Sequence, residues 1–295
     1  MAASNVLAFE IPVSLERQPR DDELDLFGLT HVGRMRTENQ DQFLVCTVHP
    51  QLVMHGTSLP EPDRLPLRGE RIATILLVAD GVGGGAGGRE ASELATRAIT
   101  RYVTSTLRCY HSAASSADEE FFSALRAAAL GAHAEVLAEA AERPGARTMA
   151  TTLTVAVAVW PWVYVMQVGD SRCYHYVDGD LRQVTQDQTM AQALAEAGAI
   201  SQSDVAKSPL SHVLTSAIGG SEAMPVVTRI EMRRDSVLLL CSDGLTKHVS
   251  DTEIADHLRT MESSAQVCRA LVNLALERGG SDNITVLVRQ ARGER

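Results

Sequence analysis

The sequence predicts an α+β fold: antiparallel sheets with helices packed on the outside. Three observations lead there. Short apolar runs bounded by turn residues recur along the chain and cluster as hairpins, and two long helical stretches stand side by side after the first strands. Connections that carry a helix from one strand to the next are too few for regular βαβ winding.

"DLFGLTHVG" and "QFLVCTV" read as strands, and "RIATILLVADG" as a third. The polar, proline-bearing stretch 49–70 between the last two reads as a long loop. Helical periodicity follows in "REASELATRAITRYVTSTL" and "DEEFFSALRAAALGAHAEVLAEAAE", joined by the polar turn "HSAASSAD". A β-rich block comes next: "TTLTVAVAVW", a Pro-Trp corner, "VYVMQVGD", and "RCYHYVDGDLRQV", whose Asp178-Gly179 is a hairpin signal. The segment from Gln188 to Ser211 has mixed helical and loop character. Strands resume at "VVTRIEM" and "SVLLLCSDG"; helices from Asp251 and Ser263 precede a last strand, "NITVLVRQ".

The 295 residues suffice to bury a sizeable core, and residues 23–292 read as a single domain behind a loose tail of residues 1–22. With 37 acidic and 27 basic residues the formal charge is −10, and no basic stripe points to nucleic acid. Cations or basic surfaces suit it better. The five cysteines lack any C-x-x-C pair, so a reducing cytoplasm fits, and no apolar run is long enough for a membrane span. Nothing in the sequence demands assembly, and a monomer is expected.

Gly83, Gly85 and Gly88 match the G-x-G-x-x-G spacing of a dinucleotide cradle. Asp80 argues against it, because it sets a negative charge at the mouth of an anion site. No acidic residue follows at the distance expected for holding a ribose. The stronger pattern is carboxylates at strand ends. "LLVADG" delivers Asp80, "VMQVGDS" Asp170 and "LLLCSDG" Asp243, while Asp41 and Asp282 open two other strands. Brought to one rim, they repel one another and call for cations. Oxygen ligands without histidine pairs or thiolates favour Mg²⁺ or Mn²⁺ over zinc. Gly81, lacking a Cβ, lets its own carbonyl approach an ion, and Arg36 offers a bidentate fork for a phosphate. A cysteine phosphatase needs C-x₅-R, which none of the five cysteines has, and no G-x-S-x-G elbow is present.

In order and spacing, "GRMRTENQD", "DGVGGGAGGREAS", "MATTL", "VGDSR", "CSDGL" and "GGSDNITV" together resemble the metal-dependent protein phosphatases, protein phosphatase 2C, in their compact bacterial form. The resemblance spans roughly residues 25 to 290 and implies an αββα sandwich with two central antiparallel sheets. It also implies a Mn²⁺- or Mg²⁺-dependent serine/threonine phosphatase in which a metal-bridging water attacks phosphorus directly. On that pattern Asp80 bridges two ions and the Gly81 carbonyl joins the coordination. Asp243 and Asp282 hold the first ion with Asp41 nearby, and Asp170 helps Asp243 hold a third, weaker one. Arg36 binds the phosphoryl group, Gln40 and Asn283 support the ligands, and residues 188–211 form a flap over the cleft. Implied partners are phosphoproteins and an opposing Ser/Thr kinase.

The chain departs from the family at several positions. Gln40 stands where many members carry glutamate, Val82 where some carry a histidine proposed to protonate the leaving group, and Gly85 and Arg89 replace histidine and glutamate. Gln188 replaces histidine, Ala150 glycine, and Ser216 a common arginine. None of the metal carboxylates is missing, which favours an enzyme over the alternative, a catalytically weak or silent regulatory binding module of the same fold.

Overall fold

The computed structural model describes residues 17–58, 60–83, 86–105, 117–142 and 149–291. The expected turn at 111–116, Cys109, Gly85 and most of the expected tail lie outside them. Eleven strands are present among the described residues: β1 (Leu24–His31), β2 (Asp41–Val48), β3 (Ala73–Val82), β4 (Ala150–Thr151), β5 (Leu153–Val159), β6 (Trp162–Val168), β7 (Arg172–Val177), β8 (Asp180–Gln183), β9 (Val226–Glu231), β10 (Val237–Cys241) and β11 (Ile284–Ala291). They form two sheets in the orders β1-β11-β10-β7-β8 and β2-β3-β5-β6-β9, with β4 paired to the end of β3. Every pairing is antiparallel.

Strand periodicity sorts the side chains into layers. Ile75, Leu77 and Ala79 of β3 pack with apolar residues of α1 (Ala86–Ser105) and α2 (Ala117–Glu142), while the alternating Leu76 and Val78 face the other sheet. In the second sheet, Val237, Leu239 and Cys241 of β10 join Ile284, Val286 and Val288 of β11. These pack against α4 (Asp243–Thr246), α5 (Asp251–Arg259) and α6 (Ser264–Glu277). Leu238, Leu240 and Leu287 fill the inter-sheet layer with Leu76, Val78, Ala156 and Val165. The result is an αββα sandwich with three apolar layers, and the near-continuous apolar runs of β3, β5 and β10 follow from burial on both faces.

The Asp178-Gly179 signal is realised as a β7–β8 turn with positive φ at both residues. The stretch 151–160 is divided: β4 pairs with the end of β3, and Thr152 leaves the strand path to donate its backbone N–H to the Asp80 carbonyl at 2.8 Å. The 49–70 loop carries a short 3₁₀ turn (Pro62–Arg64) and one bridge, Gln51 to Arg68. Residues 17–22, at the inner end of the expected tail, are held to the body. The Gln18 amide donates to the Arg71 carbonyl, and buried Arg71 pairs with Asp21 at 2.6 Å. Four described cysteines are free thiols, and among the described residues no helix is long and apolar enough to cross a membrane.

One close approach brings the ends of β10 and β11 together. Gly244, at the start of α4, lies so near β11 that a Cβ there would stand 1.9 Å from the Asn283 carbonyl oxygen. Because that neighbour is backbone, Gly244→Ala forces Asp243 and Asp282 apart. We expect a loss of about 2 kcal/mol or more in denaturant unfolding; unchanged stability would show that this contact does not fix the spacing.

Candidate active site

The strand ends that carry the five aspartates meet at one rim of the sandwich. Asp41, the first residue of β2, is the cross-strand partner of Asp80 near the end of β3. Asp170 lies in the β6–β7 turn, Asp243 follows β10, and Asp282 precedes β11, all at the same end. Repulsion from the other four carboxylates reaches Asp80: burial first, then Asp41, Asp243, Asp170 and Asp282, raise its pKa well above the usual carboxylate range. The structure thus brings these five aspartates to one end of the sandwich, near enough for the other four to act on Asp80.

Hydroxyl groups fix the backbone of Asp80 and the carboxylate of Asp41 to the scaffold. Thr152 Oγ1 accepts from the Asp80 N–H at 3.0 Å, and Thr151 Oγ1 donates to the Asp80 carbonyl at 2.8 Å. Thr152 Oγ1 also meets Ser171 Oγ at 2.7 Å, tying Asp80 to the turn that holds Asp170. Asp41, 3 % exposed, joins the two sheets: its Oδ2 accepts from Ser242 Oγ at 2.8 Å and Thr285 Oγ1 at 2.6 Å. Gly81 serves packing as well as access, since a Cβ there would stand 2.4 Å from the Gly88 carbonyl oxygen and 2.8 Å from that of Gln40.

Burial and like charge set the electrostatics. Burial, then Asp243 and Asp187, push Asp170 up to about 8, with Lys247 opposing. Burial and repulsion from Asp243 and Asp282 push Asp41 up to about 6, against the two hydroxyl hydrogen bonds. Burial also works upward on Asp282, but hydrogen bonds from Arg36 and Lys247 outweigh it and hold this carboxyl below its ordinary value. Asp41 Oδ1 and Asp243 Oδ1 are buried with no hydrogen-bond partner. Orphaned anionic oxygens in a crowd of carboxylates fit hard divalent cations.

A cleft of about 1110 Å³ opens beside them. Of the nominated residues, Arg36, Asp170, Asp243 and Asp282 line it, whereas Asp41, Asp80 and Gly81 do not. The Arg36 fork faces Asp282: Nε lies 2.8 Å from Oδ1 and a terminal nitrogen donates to Oδ2 at 3.0 Å. Asn283 acts as a staple. Its Nδ2 donates to the carbonyls of Val32 and Glu38, and its Oδ1 accepts from the Gln40 N–H, so the loop bearing Arg36 is anchored to β11. The Gln40 side-chain oxygen lies against Gly88, 2.9 Å from where a Cβ would stand, in the opening turns of α1.

The segment from Gln188 to Ser211 contains α3 (Met190–Glu196) and a 3₁₀ turn (Gln202–Lys207), and Thr189, Gln192, Gln202 and Ser211 line the cleft. Gln188 takes up a definite role. Its Oε1 accepts from the Gly169 N–H at 2.8 Å and its Nε2 donates to the Met224 carbonyl at 2.9 Å, clamping the Asp170 turn to the base of this segment. Ser216 Oγ accepts from the Met224 N–H, tethering the same base, and Arg89 pairs with Glu38.

Sequence reasoning missed Lys247. Its Nζ stands 2.7 Å from Asp243 Oδ2 and 2.8 Å from Asp282 Oδ2, and these carboxylates outweigh its burial and raise its pKa. The i,i+4 spacing from Asp243 was the available signal. Among the described residues no three acidic, imidazole or thiol side chains are drawn into one ready ligand cluster, in keeping with a rim where Lys247 and Arg36 already engage the carboxylates.

A family model for protein phosphatase 2C matches residues 56–285. The chain is 34 % identical over 260 residues to the serine/threonine phosphatase stp of Listeria welshimeri, covering 88 % of this chain and 92 % of that protein. It is 34 % identical over 216 residues to the serine/threonine protein phosphatase PstP of Mycobacterium tuberculosis, covering 73 % of this chain and 40 % of that longer protein. The crystal structure of the M. tuberculosis phosphatase superposes with a TM-score of 0.73 at 28 % identity, covering 92 % of this chain and 99 % of the other. A structure of the PstP catalytic domain in complex with two manganese ions gives 0.70 at 28 % identity, with the same coverage. With its fold, its rim of carboxylates and these relatives in agreement, the chain belongs to the protein phosphatase 2C family.

Proposed function

We propose that this chain is a Mn²⁺- or Mg²⁺-dependent phosphatase that hydrolyses phosphoserine and phosphothreonine in proteins. The observation that carries this reading is the convergence of five aspartates, two with orphaned buried oxygens, beside a cleft lined by Arg36. Relatives that are serine/threonine phosphatases support it, one of them with two bound manganese ions. Asp80 and the Gly81 carbonyl would help hold two ions, Asp243 and Asp282 with Asp41 would hold the first, and Asp170 with Asp243 would hold a third, weaker one. When bound, the ions supply positive charge for the phosphoryl oxygens and a water of lowered pKa for attack on phosphorus.

The chain's own residues do the rest. Arg36 orients the phosphoryl group and offsets its charge, while Asn283 and the Val32–Gln40 loop keep the guanidinium at the cleft. Thr151, Thr152, Ser242 and Thr285 hold Asp80 and Asp41 so that the carboxylates stay together despite repulsion. Val82 carries no ionisable group, so this chain does not protonate the leaving oxygen from that position. The 188–211 segment serves as the flap that shapes substrate choice. Residues 23–292 act as one catalytic unit, a cytoplasmic monomer opposing a Ser/Thr kinase.

Hydrolysis of a phosphothreonine peptide by the purified chain, with and without Mn²⁺, tests the reading. We expect metal-dependent turnover that Asp243→Asn lowers by more than about a hundredfold, beyond the cost typical of residues that only support a ligand. An intact, metal-loaded chain without turnover would instead favour a silent binding module. Arg36→Ala should lower kcat/KM by about tenfold or more on both the peptide and a small aryl phosphate; unchanged kinetics on both would remove Arg36 from the site.

The shifted carboxyls also set a pH dependence. Asp41 and Asp170 hold their protons more tightly folded than unfolded, so their share of stability is full below about pH 4. It is lost as pH rises, through about 6 for Asp41 and about 8 for Asp170. In chelator-treated protein, Tm should therefore fall from about pH 5 to about pH 8, and Asp170→Asn should flatten the upper part of that fall. Parallel profiles for the two proteins would contradict the assignment.

A further inference from the structure

Asp282 is crowded by donors from the protein itself. An ionised carboxylate offers about four lone-pair sites, and three hydrogen bonds and one ion-pair contact crowd them. Arg36 Nε (2.8 Å) and the Asn283 backbone N–H (3.0 Å) meet Oδ1, while an Arg36 terminal nitrogen (3.0 Å) and Lys247 Nζ (2.8 Å) meet Oδ2. Lys247 also engages Asp243 Oδ2 at 2.7 Å. A divalent cation shared by Asp243 and Asp282 therefore has to compete with these donors.

The three donors differ in how readily they leave. The Asn283 N–H is fixed by the backbone, and the Arg36 fork is held by a hydrogen bond to Oδ2 and an ion-pair contact with Oδ1. Lys247 is a single ammonium on a flexible stem at the C-terminal cap of α4, lining an open cleft into which it can withdraw. We propose that Lys247 is a resident counter-cation that competes with the divalent ion for Asp243 and Asp282. It neutralises the rim in the metal-free chain and weakens metal binding by remaining tethered beside the ion that replaces it. The enzyme then responds to cation concentration over a higher range than the carboxylates alone would set. The inference rests on the assignment of Asp243 and Asp282 as ligands, and adds a residue that controls their affinity.

Equilibrium titration of the full chain with Mn²⁺, followed by the paramagnetic resonance of the free ion, tests it without reference to turnover. Lys247→Gln removes the charge and keeps a polar stem; Lys247→Arg keeps the charge and serves if the first variant does not fold. We expect Lys247→Gln to tighten one class of Mn²⁺ site by about tenfold. Its metal-free Tm should drop and its Mn²⁺-induced rise in Tm should increase. Lys247→Arg should bind Mn²⁺ no more tightly than the parent. Affinity within about twofold of the parent, or weaker, in Lys247→Gln would overturn the proposal, and so would tightening in Lys247→Arg. Asp243→Asn separates this from failure of the ligand assignment: if that variant binds Mn²⁺ like the parent, the ligand reading fails, whatever Lys247 does.

Discussion

Repulsion among carboxylates at one rim of the sandwich is the constraint on which the rest of the structure depends. Asp80 feels all four of its neighbours, and the protein alone cannot relieve this by solvation, because Asp41 and Asp170 are buried. The sandwich holds the charges in place from below. Asp41 is bonded across to Ser242 and Thr285 on the opposite sheet, so the sheets cannot spread at this point without breaking hydrogen bonds to its carboxyl, and the Asp80 backbone is pinned by Thr151 and Thr152. Beneath them, leucines and valines from both sheets form a dry layer that makes the rim stiff. Protons, taken up by the carboxyls whose pKa is raised, and cations are the remaining ways to balance the charge. Arg36 and Lys247 supply part of it, and divalent ions supply the rest in the function proposed above.

The strands were legible because burial on both faces gives apolar runs that end abruptly, and the residue that ends each run sits at the sheet's rim. That is why Asp80, Asp170 and Asp243 stood out, and why their convergence followed once the sheets were antiparallel. The glycine run after Asp80 was legible as something other than a dinucleotide cradle, because a carboxylate stands at its mouth and no acidic residue follows at the distance that would hold a ribose; the antiparallel pairing of its strand agrees. The division of the 151–160 stretch was not legible. Thr152 leaves the strand path for a bond to the Asp80 carbonyl, a contact made across 72 residues of sequence. Lys247 was hidden because α4 is only four residues long and presents no periodicity, although its distance from Asp243 is one helical turn.

Departures from the family pattern become positional once the folded neighbours are known. Gln188 bonds the Asp170 turn to the base of the 188–211 segment through both ends of its amide, a task that needs a donor and an acceptor but no charge. Ser216 tethers the same base with one hydroxyl. Arg89 reaches Glu38 and Glu93 at the start of α1, so its charge is matched locally. None of these side chains is a metal carboxylate, which leaves the charged rim intact while the cleft wall varies.

The most direct test of the account is an anomalous-scattering map from crystals of the full chain soaked in Mn²⁺. The account predicts two peaks flanking the Asp80 carboxylate, roughly 3.5–4 Å apart, one of them also within reach of Asp243 and Asp282. A map with no peak beside Asp80 in otherwise ordered crystals would contradict it, because the gathered carboxylates would then be balanced by protons and the protein's own cations alone.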